Sequence, residues 1–177
     1  GMILVGTGEI NSSRSSYAGI GLLQSFDKGK TWKNIGLTDS HHISKILVNP
    51  KNSQEIVVGV AGHLYTKNKE RGVFKTTDGG KSWQQVLIVN DETGGIDMEV
   101  AESNFTVMYA SAWQKDRKAH NFNGNGKASG IYKSTDAGLT WQLISTPESG
   151  FPSDEFVGRI GLSAFTSDII YAVMDNQ

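Results

Sequence analysis

Glycoside hydrolysis needs two carboxyl groups about 5–10 Å apart, and the catalytic candidates in this sequence are Glu9, Asp154 and Glu155, with Asp39, Asp91 and Glu92 also eligible. Glu9 closes the run Gly6-Thr7-Gly8-Glu9, where a carboxylate can act as acid or base or can cap loop amides. A second chemistry is anion capture. Arg14, Arg71, Arg117 and Arg159 are spread along the chain, and converging guanidinium groups clamp a carboxylate bidentately. More often such arginines simply pair with loop carboxylates, and the charged run Lys115-Asp116-Arg117-Lys118 is most simply a solvated loop face. A third chemistry is stacking. Trp113, Tyr65 and Phe122 could lie against sugar rings, although a Trp that closes a strand is commonly core. His63 stands among the same loop residues and joins the ligand-binding candidates. His41 and His42 are adjacent, so their side chains diverge, and no Asp or Glu completes a set at a familiar ligand spacing. No metal is therefore expected. No cofactor is expected either, because Gly6-Thr7-Gly8 lacks the third glycine and the following helix of a nucleotide loop.

Composition narrows the classes further. The chain has 177 residues, 37% hydrophobic and 20% charged, which suffices to bury a core. Lys+Arg number 17 against Asp+Glu 18, for a net charge of −1, so no basic field exists to hold nucleic acid or an anionic membrane. Cysteine is absent, which removes disulfides, thiolate chemistry and Cys-ligated zinc. No apolar run reaches the ~18 residues of a membrane span. The 21 glycines against three prolines point to many tight turns.

Those turns belong to a repeat that must position the candidates. Ser25, Asp27, Gly29, Thr31 and Trp32 recur as Thr76, Asp78, Gly80, Ser82 and Trp83, and again as Ser134, Asp136, Gly138, Thr140 and Trp141. Each set follows a Gly, two apolar residues and a polar one: Gly21-Leu22-Leu23-Gln24, Gly72-Val73-Phe74-Lys75 and Gly130-Ile131-Tyr132-Lys133. The pattern is that of a hairpin. The Asp accepts bonds from turn amides, and Gly supplies the left-handed position. Residues that recur once per repeat are structural, since one active site does not need three copies. Between the boxes run Ile43 to Val48, Ile96 to Val100 and Gly158 to Ser163, followed by the more apolar Glu55 to Gly59, Thr106 to Ser111 and Ile169 to Val173. The unit is four short antiparallel strands per roughly 50 residues, the plan of a β-propeller blade.

With its box Ser/Thr-x-Asp-x-Gly-x-Thr-Trp, the chain resembles the BNR or Asp-box repeat β-propellers. Gly6 to Glu9, Val48-Asn49-Pro50, Ala112-Trp113-Gln114 and Gly130 to Asp136 look like bacterial sortilin-like proteins, often labelled glycosyl hydrolase BNR repeat. The resemblance implies an all-β propeller and a periplasmic or extracellular setting. It leaves two functions open: a loop face that binds protein, peptide or glycan, or a glycoside hydrolase with carboxylates partly outside this chain. A sialidase is not expected, because Arg159-Ile160-Gly161 departs from that group's Arg-Ile-Pro start.

The expected units are a partial blade over 2–37, blades over 43–88 and 95–145, and the start of another over 158–174. The box turns should lie on one face. The long loops 7–20, 61–71 and 112–129 should lie on the other, carrying the candidates. An incomplete arc of about three blades leaves apolar flanks and unpaired edges. The chain is therefore expected to be part of a longer propeller, or to self-associate.

Overall fold

Alternation along each strand decides which neighbour its side chains meet. The computed structural model describes residues 1–176. β1 (Ile3–Gly6), β2 (Leu22–Ser25) and β3 (Lys33–Asn34) form a three-stranded sheet. β4 (Ile43–Val48), β5 (Ile56–Val60), β6 (Gly72–Thr76) and β7 (Gln84–Leu87) form a four-stranded meander. The next sheet takes β8 (Thr93–Val100) and β9 (Met108–Gln114). A small hairpin, β10 (Asp116–Arg117) with β11 (Phe122–Asn123), then interrupts the chain before β12 (Gly130–Ser134) and β13 (Gln142–Leu143) complete that sheet. β14 (Val157–Ala164) and β15 (Ile170–Asn176) form the last. All neighbouring strands are antiparallel. This is an all-β propeller arc whose sheets do not close. The β10–β11 hairpin was not legible in the sequence, where 112–129 read as one loop.

Apolar residues on both faces of the middle strands make adjacent sheets stack. All five residues of β5 are buried. Ile56, Val58 and Val60 join Leu22, Ile35, Leu37 and Phe74 in the core between the first two sheets. Val57, on the opposite face, joins Val73, Met98, Met108 and Ala110 in the next core. Tyr109, Ile131, Val157, Ile160 and Leu162 fill the third. Full burial of one such side chain contributes about 1.5–3 kcal/mol, so each inter-sheet core is held by several independent contributions.

The first strand of each later sheet starts with a register shift: Ile43/Lys45 in β4, Gly95/Asp97 in β8 and Val157/Ile160 in β14. A bulge bends its strand and re-aims the next side chains. Polar groups after these bulges stitch first strands together. Ser44 Oγ donates to the Gly95 carbonyl at 2.7 Å, Lys45 Nζ reaches Asp97 and Glu99 at 3.1 and 2.7 Å, and Asp97 accepts from the Leu162 amide at 2.9 Å.

The three boxes share one geometry. Ser25 Oγ donates to Asp27 at 2.8 Å and accepts the Gly29 amide at 2.9 Å. Thr31 then gives Asp27 both its amide and its hydroxyl, at 2.9 and 2.7 Å. The same bonds tie Thr76, Asp78, Gly80 and Ser82, and Ser134, Asp136, Gly138 and Thr140. Gly29, Gly80 and Gly138 have φ of 86°, 88° and 80°, the left-handed region where a Cβ is strained. The hydroxyl donated by the residue four positions on is the largest reason that Asp27 and Asp136 are held at about 2; Asp78 lies lower still. The tryptophans differ. Trp32 and Trp141 donate to carbonyls of their own turns, Gly29 at 3.0 Å and Gly138 at 3.2 Å. Trp83 instead donates across the interface to the Ile35 carbonyl at 2.7 Å.

Candidate functional site

Meander connectivity separates two faces. Box turns sit beside the turns between first and second strands, as the Gly79 amide bound to the Gln54 carbonyl and the Ala137 amide bound to the Thr106 carbonyl attest. Loops 7–21, 61–71 and 115–129 leave from the opposite strand ends and touch one another. Arg117 donates to the Ser12 carbonyl through Nε and Nη2 at 2.9 and 2.7 Å. Tyr65 donates its hydroxyl to the Arg14 carbonyl at 2.7 Å. Residues from three sheets thus meet in one surface.

Two hollows flank the ridge Leu64–Thr66. The first, about 250 Å³, is lined by Leu64 to Lys67, Arg71, Glu92, Lys115, Asp116 and Lys118. Arg71 is buried, and its guanidinium donates to the carbonyls of Ala61, Glu92, His63 and Thr66 at 2.8–3.3 Å. It closes its own loop, since loop carbonyls must find donors when buried. Lys67 pairs with Asp91 and Glu92, and Lys118 with Asp116. Lys115 is different. It is 5% exposed, and Nζ has the His63 carbonyl at 3.3 Å. Among the described residues no carboxylate pairs with it. Burial, then the charges of Arg71 and Arg117, lower its pKa to about 8.

The second hollow, about 220 Å³, is lined by Ser16, Ala18, His41, His42, His63 and the Leu64–Thr66 ridge. His41 and His63 stack with ring centroids 3.6 Å apart and 15° between planes. His63 Nε2 lies 3.0 Å from Asp39 Oδ1, and its Nδ1 lies 2.7 Å from Thr66 Oγ1. His42 turns away, its ring at 84° to that of His41. Burial foremost, then the charges of Lys115, His41 and His63, push His42 down to about 4, so it is neutral at pH 7. The divergence of His41 from His42 follows the sequence reading. The expectation that no carboxylate completes a ligand set needs correcting. Asp39, His41 and His63 bring a carboxylate oxygen and two ring nitrogens within 4.8 Å of one another. His63 comes from a different loop, so no local spacing could announce it.

The remaining candidates sit as follows. Glu9 is exposed and accepts the Tyr17 amide at 3.2 Å. Asp154 accepts the Phe156 amide at 3.0 Å, and Glu155 lies 3.6 Å from Lys127. Arg14 is exposed, and Arg159 stands 5.8 Å from the centroid of Trp113. Arg71, Arg117 and Arg159 each answer to a different partner. Trp113 is 5% exposed, donates to the Gly124 carbonyl at 2.6 Å and packs on Ala61 and Ile96. This corrects the stacking expectation for Trp113, which has no free ring face. Phe122 lies under the Arg117 guanidinium at 3.8 Å, and Tyr65 is half exposed. Lys115, which sequence reading placed in a solvated charge run, is the missed residue. Its position right after the apolar strand β9 was the available signal.

Among solved structures, the GH74 xyloglucanase from Xanthomonas campestris is 18% identical over 98% of this chain and 25% of its own, with a TM-score of 0.63. An ancestral GH74 enzyme is 18% identical over 92% of this chain and 26% of its own, at 0.43. The Niastella koreensis GH74 enzyme is 14% identical over 88% and 32%, also at 0.43. At 18% identity the likeness to the Xanthomonas campestris enzyme is one of fold, and the chain spans about a quarter to a third of these enzymes' lengths. No curated protein matches significantly. The family model described as sortilin, neurotensin receptor 3, matches residues 21–156. That span is well over half of the sequence, and the protein belongs to the Sortilin-Vps10 family.

Proposed function

We propose that the loop face binds a protein or peptide ligand through an acidic group seated against Lys115. The observation that carries this reading is a buried ammonium, paired with no carboxylate among the described residues, beside an open hollow. Removing a charge from water costs several kcal/mol unless an opposite charge meets it. A carboxylate from outside offsets that cost, and charge-assisted bonds are the strong ones. The hollow, about 250 Å³, suits a side-chain or terminal carboxylate rather than a whole sugar ring with its neighbours. The family description names a receptor, which favours ligand binding over catalysis. A periplasmic or extracellular setting belongs to the same proposal.

The test is titration of acidic peptides, and their amidated Gln/Asn counterparts, into the protein by calorimetry. Acidic peptides should bind at least about tenfold tighter, and Lys115→Met should erase that preference. Binding should hold below pH 8 and weaken above it, because the ammonium is lost as pH rises through about 8. Equal binding of acidic and neutral peptides, or full binding by Lys115→Met, would overturn the reading. Uptake of neutral oligosaccharides instead would favour a glycan surface.

A further inference from the structure

We infer that Asp39, His41 and His63 form a site for a divalent transition-metal ion of the zinc class. Three observations support it, and none depends on the ligand proposed for Lys115.

Donor geometry comes first. One oxygen and two ring nitrogens lie mutually within 4.8 Å. Two ligands of a tetrahedral zinc, each about 2.0–2.1 Å from the ion, sit about 3.3 Å apart. Asp39 Oδ1 and His63 Nε2 are already 3.0 Å apart. The His41 ring lies stacked on that of His63, and stacked rings cannot both aim in-plane lone pairs at one ion, so binding turns the His41 ring out of the stack.

The backbone supplies the second observation. His41 has φ 56° and ψ −40°, and the His42 amide donates to the Ser40 carbonyl at 2.6 Å around it. This is a γ-turn of the rare, strained hand. Leu37, on the other side of the 3-10 turn Thr38–Ser40, is also left-handed at φ 56°. Two non-glycine residues in this region within five positions mark a segment that its surroundings hold in place, and such strain collects at functional sites. The Gly19 amide holds the His41 carbonyl at 2.6 Å, which keeps the strained turn shut.

Two of the three ligand residues, His63 and Asp39, are also supported from behind. Thr66 Oγ1 engages His63 Nδ1, leaving Nε2 as the ring's outward nitrogen. Arg71 Nη2 holds the His63 carbonyl at 2.8 Å. Asn68 Nδ2 donates to the Asp39 carbonyl at 2.7 Å. Partners of this kind orient ligands and tune their basicity. Two imidazoles with one carboxylate are borderline donors, suited to zinc, cobalt, nickel or copper and poorly suited to calcium or magnesium. Three protein ligands leave at least one coordination position for water or an outside donor. His41 and His63 both line the hollow of about 220 Å³ where such a donor would stand. The ion would tie the turn 38–40, which links the first sheet to the second, to loop 61–71 within the second.

Calorimetric titration of the tag-free protein with zinc chloride tests this, with cobalt(II) absorption in the visible as a second readout. One ion should bind per chain, raise the melting temperature and, as cobalt, give a visible band. Asp39→Asn keeps a hydrogen-bond partner for His63, and His41→Asn tolerates the left-handed backbone. Each should weaken binding by at least about tenfold and abolish the band, while His120→Gln changes nothing. Melting in chelator checks that the variants fold like the parent. Absence of one-to-one binding with both zinc and cobalt would overturn the inference. So would binding that survives both Asp39→Asn and His41→Asn.

Discussion

The two faces of this arc are built by opposite means. On the box face, the same bonds recur three times, nearly all between residues two to four positions apart. On the loop face, contacts that matter join distant residues: Arg117 with Ser12, Tyr65 with Arg14, His63 with Asp39. Repetition with short range builds the scaffold and leaves its polar groups satisfied. Long range without repetition builds a surface where charges and rings remain available. The box carboxylates are all committed to amides and hydroxyls, whereas Lys115 has one carbonyl and, among the described residues, no carboxylate.

The largest effect expected is a break in that division. Trp83 is the box residue that reaches across an interface, so Trp83→Ala should cost about 3 kcal/mol in denaturant unfolding. Trp32→Ala, 43% exposed and bound within its own turn, should cost about 1 kcal/mol. Equal costs would make the boxes equivalent after all. Next is acid stability, which each face should lose in its own window. The His42 pKa is lowered to about 4 from an ordinary 6.5, so the unfolded chain takes up the proton first. Stability should fall by about 2–3 kcal/mol as pH drops from 6.5 to 4, and His42→Gln should remove that slope. The box aspartates contribute at all pH values above the ordinary carboxylate range. Their stabilisation should disappear only between about pH 4 and 2, read by acid unfolding. Lys115→Met should stabilise the fold by about 1–3 kcal/mol at pH 7, because the lowered pKa records a cost of charging. In the parent, stability should rise as pH passes from 8 toward 10.5. Arg117→Ala should cost about 1 kcal/mol and chiefly speed amide exchange in residues 7–21.

Much of the scaffold was legible. The spacing of Asp27, Asp78 and Asp136 marked the three sheets that carry a box, and the flanking apolar runs located β2, β6 and β12. Those signals survive in sequence because each hairpin closes within a few residues. Bulges at Ser44, Ile96 and Gly158 were not legible, since any of several adjacent residues can carry the extra position. The site was less legible still. Arg71 and Trp113 read as ligand groups by type, but burial and nearby carbonyls made them structural. Lys115 read as solvated, but the end of β9 carries it into the interior.

By itself, the sequence determined the repeat, the strand order and the box chemistry, because a turn's hydrogen bonds depend on residues within reach of one short segment. Only the tertiary structure decided which charges would be buried and which donors would meet. Asp39 and His63 are brought together by two separate connections, and Lys115 lost its water because three loops closed over it. Burial and long-range distance are properties of the packed arc, and they set what each polar group can do.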